Sequence, residues 1–140
     1  MKLKSQICTT EEQSNRLLAL GLKNETADMC YQVKFFDPFP QHLVDCTPTL
    51  LTHPPINDER FIPAWSLHRL IEMIPTTVPD ISGIMHELIV DGASISYYYF
   101  GEESWEIWRI WNDKELYDNV IDCIKWLIGE GHFDKEYLEE

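Results

Sequence analysis

The sequence lacks the motifs on which nucleotide-dependent and metal-dependent enzymes rely. It has six glycines among 140 residues, and none belongs to a GxxxxGK[ST] or GxGxxG loop of the kind that cradles phosphate groups. There is no GxSxG serine elbow. His86-Glu87 is not followed by the second histidine of an HExxH zinc motif. We therefore predict no catalytic residue, no cofactor and no metal site, and we favour a protein that is not an enzyme.

Cysteine pairs with metal-binding or redox spacing are also missing. The four cysteines are far apart, at Cys8, Cys30, Cys46 and Cys123, and no two form a CxxC pair. Lys2 and Lys4 are not followed by the apolar run of a secretory signal. We therefore expect free, mostly buried thiols and a cytoplasmic protein, because disulfides persist mainly in secreted chains.

Long hydrophobic runs are absent, and basic residues are scarce. No stretch approaches the ~20 apolar residues of a membrane span, so no membrane association is expected. Eleven Lys and Arg stand against twenty-four Asp and Glu, which gives a net charge of −13. Such a chain repels phosphate backbones, so we expect no direct nucleic-acid binding. The acidity either keeps the protein soluble or suits a partner with a basic surface.

The sequence is rich in aromatic residues, and its periodicity alternates between helical and extended segments. Thr9 and Glu12 form a capping-box pattern, Gly21 is a natural helix stop, and Pro63 suits a first helical turn. The fold class predicted is α+β, a single domain over 1–140, with an antiparallel meander of three or four strands packed against helices. The strands are expected at 30–36, 84–90, 93–100 and 105–111, and the helices at 10–20, 64–74 and 114–128.

The segment 37–63 carries six prolines, too many for a helix or a central strand. It also contains large apolar residues, such as Phe39 and Phe61. We therefore expect an irregular segment that docks on the body of the domain.

The meander allows a register to be proposed. Asp91-Gly92 is a strong signal for a two-residue hairpin loop, which would place Val90 opposite Ala93 and His86 opposite Tyr97. A second turn at 101–104 would then place four pairs in the next hairpin. These pairs are Trp108 with Tyr97, Ile110 with Ile95, Ile107 with Tyr98 and Trp105 with Phe100.

Alternation along these strands gives the sheet two faces. The first face, with Leu88, Ile95 and Tyr97, is an evident core face. The second face is unusually apolar for a sheet with one solvated side. Either the chain's own segments cover it, or it contacts a partner protein or a second copy of the chain. This candidate interaction surface is Ile89, Tyr98, Phe100, Trp105, Ile107 and Trp111.

The order of elements and three short stretches carry a resemblance. Thr-Ala-Asp-Met at 26–29, Pro-Ala-Trp-Ser-Leu at 63–67 and the end of the last helix at 126–131 are its most specific parts. The chain resembles small uncharacterised proteins of gut anaerobic bacteria and of their phages or mobile elements. The resemblance implies a bacterial or phage cytoplasmic origin, and it carries over no catalytic residue and no ligand.

These observations favour a non-enzymatic protein that binds another protein. Two alternatives stay open. The first is an acidic inhibitor that mimics nucleic acid, which requires acids concentrated on one surface. The second is a small enzyme with a site near 37–63, where His42, Cys46 or His53 would meet a carboxylate. The Glu102, Glu103 and Glu106 cluster offers cation or acid–base chemistry, but acidic turns are usually only solvated.

Overall fold

The computed structural model describes residues 5–36, 41–44, 49–50 and 61–140. The chain divides into two compact units, Met1–Leu70 with Glu136–Glu140 and Ile71–Lys135. Helices and two antiparallel sheets make up these units, which confirms the α+β class. Whether the whole chain is a single domain stays a prediction.

The first unit contains a four-stranded antiparallel sheet built around one long strand. Pro63 stands in its last strand, opposite Cys30, and a proline is tolerated there because that strand pairs on one side only. The expectation that 37–63 is wholly irregular is therefore wrong, since three short strands arise from it. Its docking as a segment lies outside the described residues. The strands are β1 (Met29–Phe36), β2 (Gln41–Val44), β3 (Thr49–Leu50) and β4 (Phe61–Ala64).

Helix α1 (Glu11–Ala19) begins one residue later than the sequence pattern suggested. Thr10, not Thr9, is the cap: the Gln13 amide donates to the Thr10 hydroxyl at 3.2 Å, and the Thr10 amide donates to the Gln13 side chain at 3.0 Å. The capping box is therefore real but shifted. Gly21, with φ of 102°, follows the helix as expected.

Trp65 is fully buried at the centre of the first unit. Its indole Nε1 donates to the Thr26 hydroxyl at 2.9 Å, and its backbone amide donates to the Thr9 hydroxyl at 3.0 Å. The Thr9 amide donates back to the Trp65 carbonyl at 2.9 Å. Thr9 therefore does not cap the helix. It bonds instead to Trp65, the residue that follows β4, and so links the start of α1 to the end of that strand.

Helix α2 (Leu67–Met73) starts three residues after the expected position. The hydroxyl of Ser66 accepts from the Arg69 amide at 3.1 Å, as an N-cap does. The Asp28 carboxylate accepts from the Ser66 amide at 2.8 Å. Ala64, which the pattern placed in the helix, is held in β4 instead, because it pairs with Met29 of β1.

The second unit contains a four-stranded antiparallel sheet and helix α3 (Leu116–Glu130), which packs against its last two strands. Ile95 and Tyr97 are fully buried on the helix side. The Tyr97 hydroxyl donates to the Pro75 carbonyl at 2.8 Å, so this large ring is buried with its polar group satisfied. The strands, in sheet order, are β5 (Thr77–Pro79), β6 (Met85–Asp91), β7 (Ser94–Phe100) and β8 (Trp105–Trp111).

The β6–β7 hairpin turns one residue later than expected. Gly92 and Ala93 form the loop, and Asp91 pairs with Ser94. Gly92 has φ of 59°, whereas no described non-glycine residue has a positive φ, which matches the glycine-first pattern of a type II′ turn. Leu88, not His86, therefore lies opposite Tyr97. This slip moves each partner by two residues, so every side chain keeps its predicted face.

The β7–β8 pairing contains a bulge that the sequence did not reveal. Ile107 pairs with Tyr98 and Trp105 with Phe100, as predicted, but the register then shifts. Arg109, not Trp108, lies opposite Tyr97. Trp108 is the extra residue of the bulge, and an odd insertion reverses the alternation of everything that follows.

The three cysteines with described side chains, Cys8, Cys30 and Cys123, are free and buried. Burial raises the pKa of each thiol. A Cys46→Ser variant should therefore resist alkylation in native buffer at mildly alkaline pH, because the reactive species is the thiolate. We expect less than one label per folded chain, and three in denaturant, by mass spectrometry. Rapid native labelling of two or more thiols would contradict this burial.

Candidate functional site

The second face of the β5–β8 sheet gathers five of the six residues proposed as an interaction surface. Phe100 is 64% exposed, Trp105 is 53% exposed and Ile107 is 53% exposed. Ile89 and Tyr98 are half-buried between them. The register places all five on one side of the sheet. We call these five residues, together with Met85 and Ile110, the second face.

Two further apolar residues belong to this face and were missed from the sequence. Met85 is 50% exposed and precedes Glu87 and Ile89 on the same side of β6. Ile110 is 40% exposed and pairs with Ser96 because of the bulge. Alternation along β6 would have found Met85, whereas Ile110 gave no sequence signal.

Trp111 does not belong to the second face, and this part of the prediction is wrong. It pairs with Ile95, a core residue. Its ring centroid lies 5.5 Å from that of Trp126 on α3. The bulge at Trp108 is the cause, because it turns the end of β8 over.

An aromatic cluster forms one end of the second face. The rings of Phe100 and Trp105 meet edge-on with centroids 5.2 Å apart, and those of Tyr98 and Trp105 meet edge-on at 6.3 Å. Edge-to-face packing of this kind is favourable for aromatic rings. The cluster therefore presents a preorganised apolar surface instead of three independent side chains.

The tight turn between β7 and β8 positions this cluster. The Gly101 amide donates to the Ser104 carbonyl at 2.8 Å. A Cβ at Gly101 would stand 3.3 Å from that carbonyl and 3.3 Å from the Glu106 carboxylate, so glycine suits this close approach. The turn brings Phe100 and Trp105 opposite each other at the start of the ladder.

The surroundings of the second face are acidic. Glu87 lies on the face itself, opposite Tyr98, and the adjoining turn exposes Glu102 and Glu103. The second unit as a whole carries thirteen acidic and four basic residues. An apolar centre with a negative rim results.

The turn carboxylates do not converge on a catalytic or cation site. Glu106 accepts a hydrogen bond from the Tyr99 hydroxyl, which raises the pKa of Tyr99. Within the described residues, no three His, Cys, Asp or Glu side chains are close enough to share a metal ion. The side chains of His42, Cys46 and His53 lie outside the described part of the chain, so an enzyme site there stays a prediction.

Comparison of the chain with family models, with curated proteins and with solved structures gives no match. Within the described ranges, no helix is both long and apolar enough to cross a membrane. The function therefore has to be argued from the surfaces of the molecule.

Proposed function

We propose that this chain is a non-enzymatic binding protein whose second face docks on another protein. The observation that supports the proposal is the exposure of Phe100, Trp105 and Ile107, each more than half accessible on one side of one sheet. Isolated exposed apolar residues are common, but contiguous large ones usually mark a contact site.

The energetics suit a moderate-affinity interface. Fully burying one large apolar side chain contributes about 1.5–3 kcal/mol, and aromatic anchors dominate many interfaces. The Phe100–Trp105 pair is already in contact in the free protein. Little side-chain entropy then remains to be lost on binding, which favours affinity.

The partner that fits is a protein surface with an apolar centre and a rim of Lys and Arg. Glu87 lies beside Tyr98, and Glu102 and Glu103 lie in the turn next to Phe100 and Trp105, where they would meet such a rim. A second copy of the chain fits less well, because two chains each of net charge −13 repel one another. Charge complementarity also speeds association and selects partners.

Mimicry of nucleic acid is the weaker alternative. Its acids would need to follow a single strip, whereas those of the second unit occur in the loop after β5, on β6, in the β7–β8 turn and along α3. Mimicry also offers no role for an exposed aromatic cluster. The bacterial or phage cytoplasmic origin stays part of our proposal, supported by the resemblance at 26–29, 63–67 and 126–131.

Affinity capture with three matched baits tests the proposal. The baits are the wild-type chain, the double variant Trp105→Thr with Ile107→Thr, and the control Ile81→Thr. Threonine keeps the preference for strand structure, and Ile81 is a fully exposed apolar residue outside the sheet. We expect a basic protein to be enriched by the wild-type and control baits and lost with the double variant.

If the double variant enriches the same protein, the second face is not the binding surface. If the baits capture only the chain itself, and size-exclusion chromatography shows a dimer, then the partner is a second copy of the chain and not a basic protein. Each bait should first give the wild-type circular dichroism spectrum, so that loss of capture is not loss of folding.

A further inference from the structure

A concave surface lies on the side of the sheet opposite the second face, next to the bulge. A cavity of about 580 Å³ opens between the loop after β5, the bulge of β8 and the C-terminal end of α3. All of its walls belong to the second unit. Its lining includes Asp80, Trp108, Arg109, Trp126 and Glu130.

The bulge places two residues of the cavity wall. It leaves Trp108 and Arg109 on the helix side of the sheet, where regular alternation would have sent one of them to the second face. The rings of Trp108 and Trp126 stand nearly perpendicular, at 83°, with centroids 5.4 Å apart. Bulges that redirect side chains in this way are common next to functional sites.

The loop after β5, which forms one wall of the cavity, is held in place by hydrogen bonds to Asp80. Its Oδ1 accepts from the Ser82 amide at 2.8 Å, the Ser82 hydroxyl at 2.7 Å and the Ile84 amide at 3.1 Å. The Asp80 backbone amide donates to the Ile84 carbonyl at 3.0 Å. The other oxygen, Oδ2, makes no hydrogen bond within the described residues; His86 Nε2 lies 3.8 Å from it, and Tyr99 is near enough that the Asp80 charge helps to raise the pKa of its hydroxyl. One oxygen therefore fixes the loop and the other is available to a ligand.

His86 packs against Trp108, one of the two indoles that line the cavity. It is 2% exposed, and its ring stacks on that of Trp108 with centroids 4.2 Å apart. Its Nδ1 is buried without a hydrogen-bond partner in the described part of the chain. An unpaired buried nitrogen is costly and rare, and this one belongs to the ring that stacks on Trp108.

Charges of both signs line the cavity. The Arg109 guanidinium lies 5.5 Å from the Trp108 ring centroid and 5.8 Å from that of Trp126. Stacking on rings leaves the edge of a guanidinium free to bind a carboxylate. Asp80 and Glu130 supply negative charge. Glu130 ends α3, where the helix dipole is also negative.

We propose that this cavity binds a free α-amino acid with an aromatic side chain. Arg109 takes the carboxylate, Asp80 and Glu130 take the ammonium group, and the parts of the two indoles that line the cavity, beside the areas covered by His86 and Arg109, contact the side chain. A simple cation is disfavoured by Arg109, and a simple anion is disfavoured by the two carboxylates. A zwitterion satisfies both. The site is separate from the second face and does not depend on the proposed function.

Titration of the intact chain with L-phenylalanine, followed by tryptophan fluorescence and calorimetry, tests this site. Two analogues each remove one charge: N-acetyl-L-phenylalanine lacks the ammonium and L-phenylalaninamide lacks the carboxylate. We expect saturable binding of phenylalanine, and binding at least about tenfold weaker for each analogue, since charged hydrogen bonds are the strong ones.

Matched variants test which protein side chain binds each charged group of phenylalanine. Arg109→Gln should weaken phenylalanine binding by about tenfold and leave the weak binding of phenylalaninamide unchanged. Glu130→Gln should weaken both phenylalanine and phenylalaninamide. Lys125→Gln, at an exposed position on α3 outside the cavity, should change neither.

Three results would overturn the proposal. One is no saturable binding of phenylalanine in the millimolar range by wild-type protein with a native circular dichroism spectrum. Another is phenylalaninamide binding as tightly as phenylalanine, which would make the site a cation site. The third is unchanged phenylalanine affinity in Arg109→Gln.

Discussion

Replacing Trp65 by alanine is expected to lower the free energy of unfolding by about 3–5 kcal/mol, the range for truncating a buried Trp or Phe. Trp65 is fully buried, and its indole donates to Thr26. The variant therefore loses packing and also leaves a buried hydroxyl without its donor. A loss of this size is a large part of the total free energy of unfolding of a small protein.

Urea unfolding, followed by both circular dichroism and fluorescence, measures this loss. Two probes are needed because a chain of two compact units need not unfold in one step. Trp105→Ala is the matched control, since it removes the same ring from a half-exposed position. It should cost no more than about 1 kcal/mol, in line with surface substitutions. Equal losses for the two variants would contradict the burial of Trp65.

Replacing Trp105 and Ile107 by threonine should weaken binding of the captured partner by about a hundredfold or more. Interface hot spots contribute about 2 kcal/mol or more each, and about 1.4 kcal/mol corresponds to a factor of ten. The same double variant should unfold within about 1 kcal/mol of the wild type, because both side chains are more than half exposed. A large effect on binding with a small effect on stability distinguishes a docking surface from a structural one.

The rim of acids adds a second signature to this prediction. If Glu87, Glu102 and Glu103 face basic groups of the partner, added salt should slow association more than it speeds dissociation. The double variant keeps all three acids, so its residual association should show the same salt dependence. The apolar and charged parts of the surface can thus be measured separately.

The faces of the sheet could be predicted because strand alternation has a period of two. The hairpin loop was placed one residue early, at Asp91-Gly92, yet the two-residue slip in pairing left every face unchanged. The bulge inserts a single residue, so the residues that follow it changed faces. The run Trp108-Arg109-Ile110-Trp111 alternates apolar and polar residues too weakly to reveal an inserted residue.

The ends of the helices depended on contacts that local sequence does not contain. Thr9 and Thr10 are both good caps, and only the bonds from Thr9 to Trp65 decide between them. Pro63 suits a first helical turn equally well. Its assignment to a strand follows from the pairing with Cys30, which is 33 positions earlier in the chain.

The cavity beside the bulge could not have been found from sequence. Asp80, Trp108 and Trp126 come from a loop, a strand and a helix that are far apart in the sequence, and only the folded chain brings them together. The second face was found because its residues lie in adjacent strands with a regular register. Local patterns thus predict a surface within one sheet better than a site shared among distant segments.

Whether the second face is the binding surface is tested most directly by the dissociation constant of the captured partner for three proteins. These are the wild type, the Trp105→Thr and Ile107→Thr double variant, and the Ile81→Thr control, each checked for a native spectrum. We predict affinity about a hundredfold weaker for the double variant and an unchanged affinity for the control. Dissociation constants for all three that agree within a factor of two would show that the second face is not the binding surface.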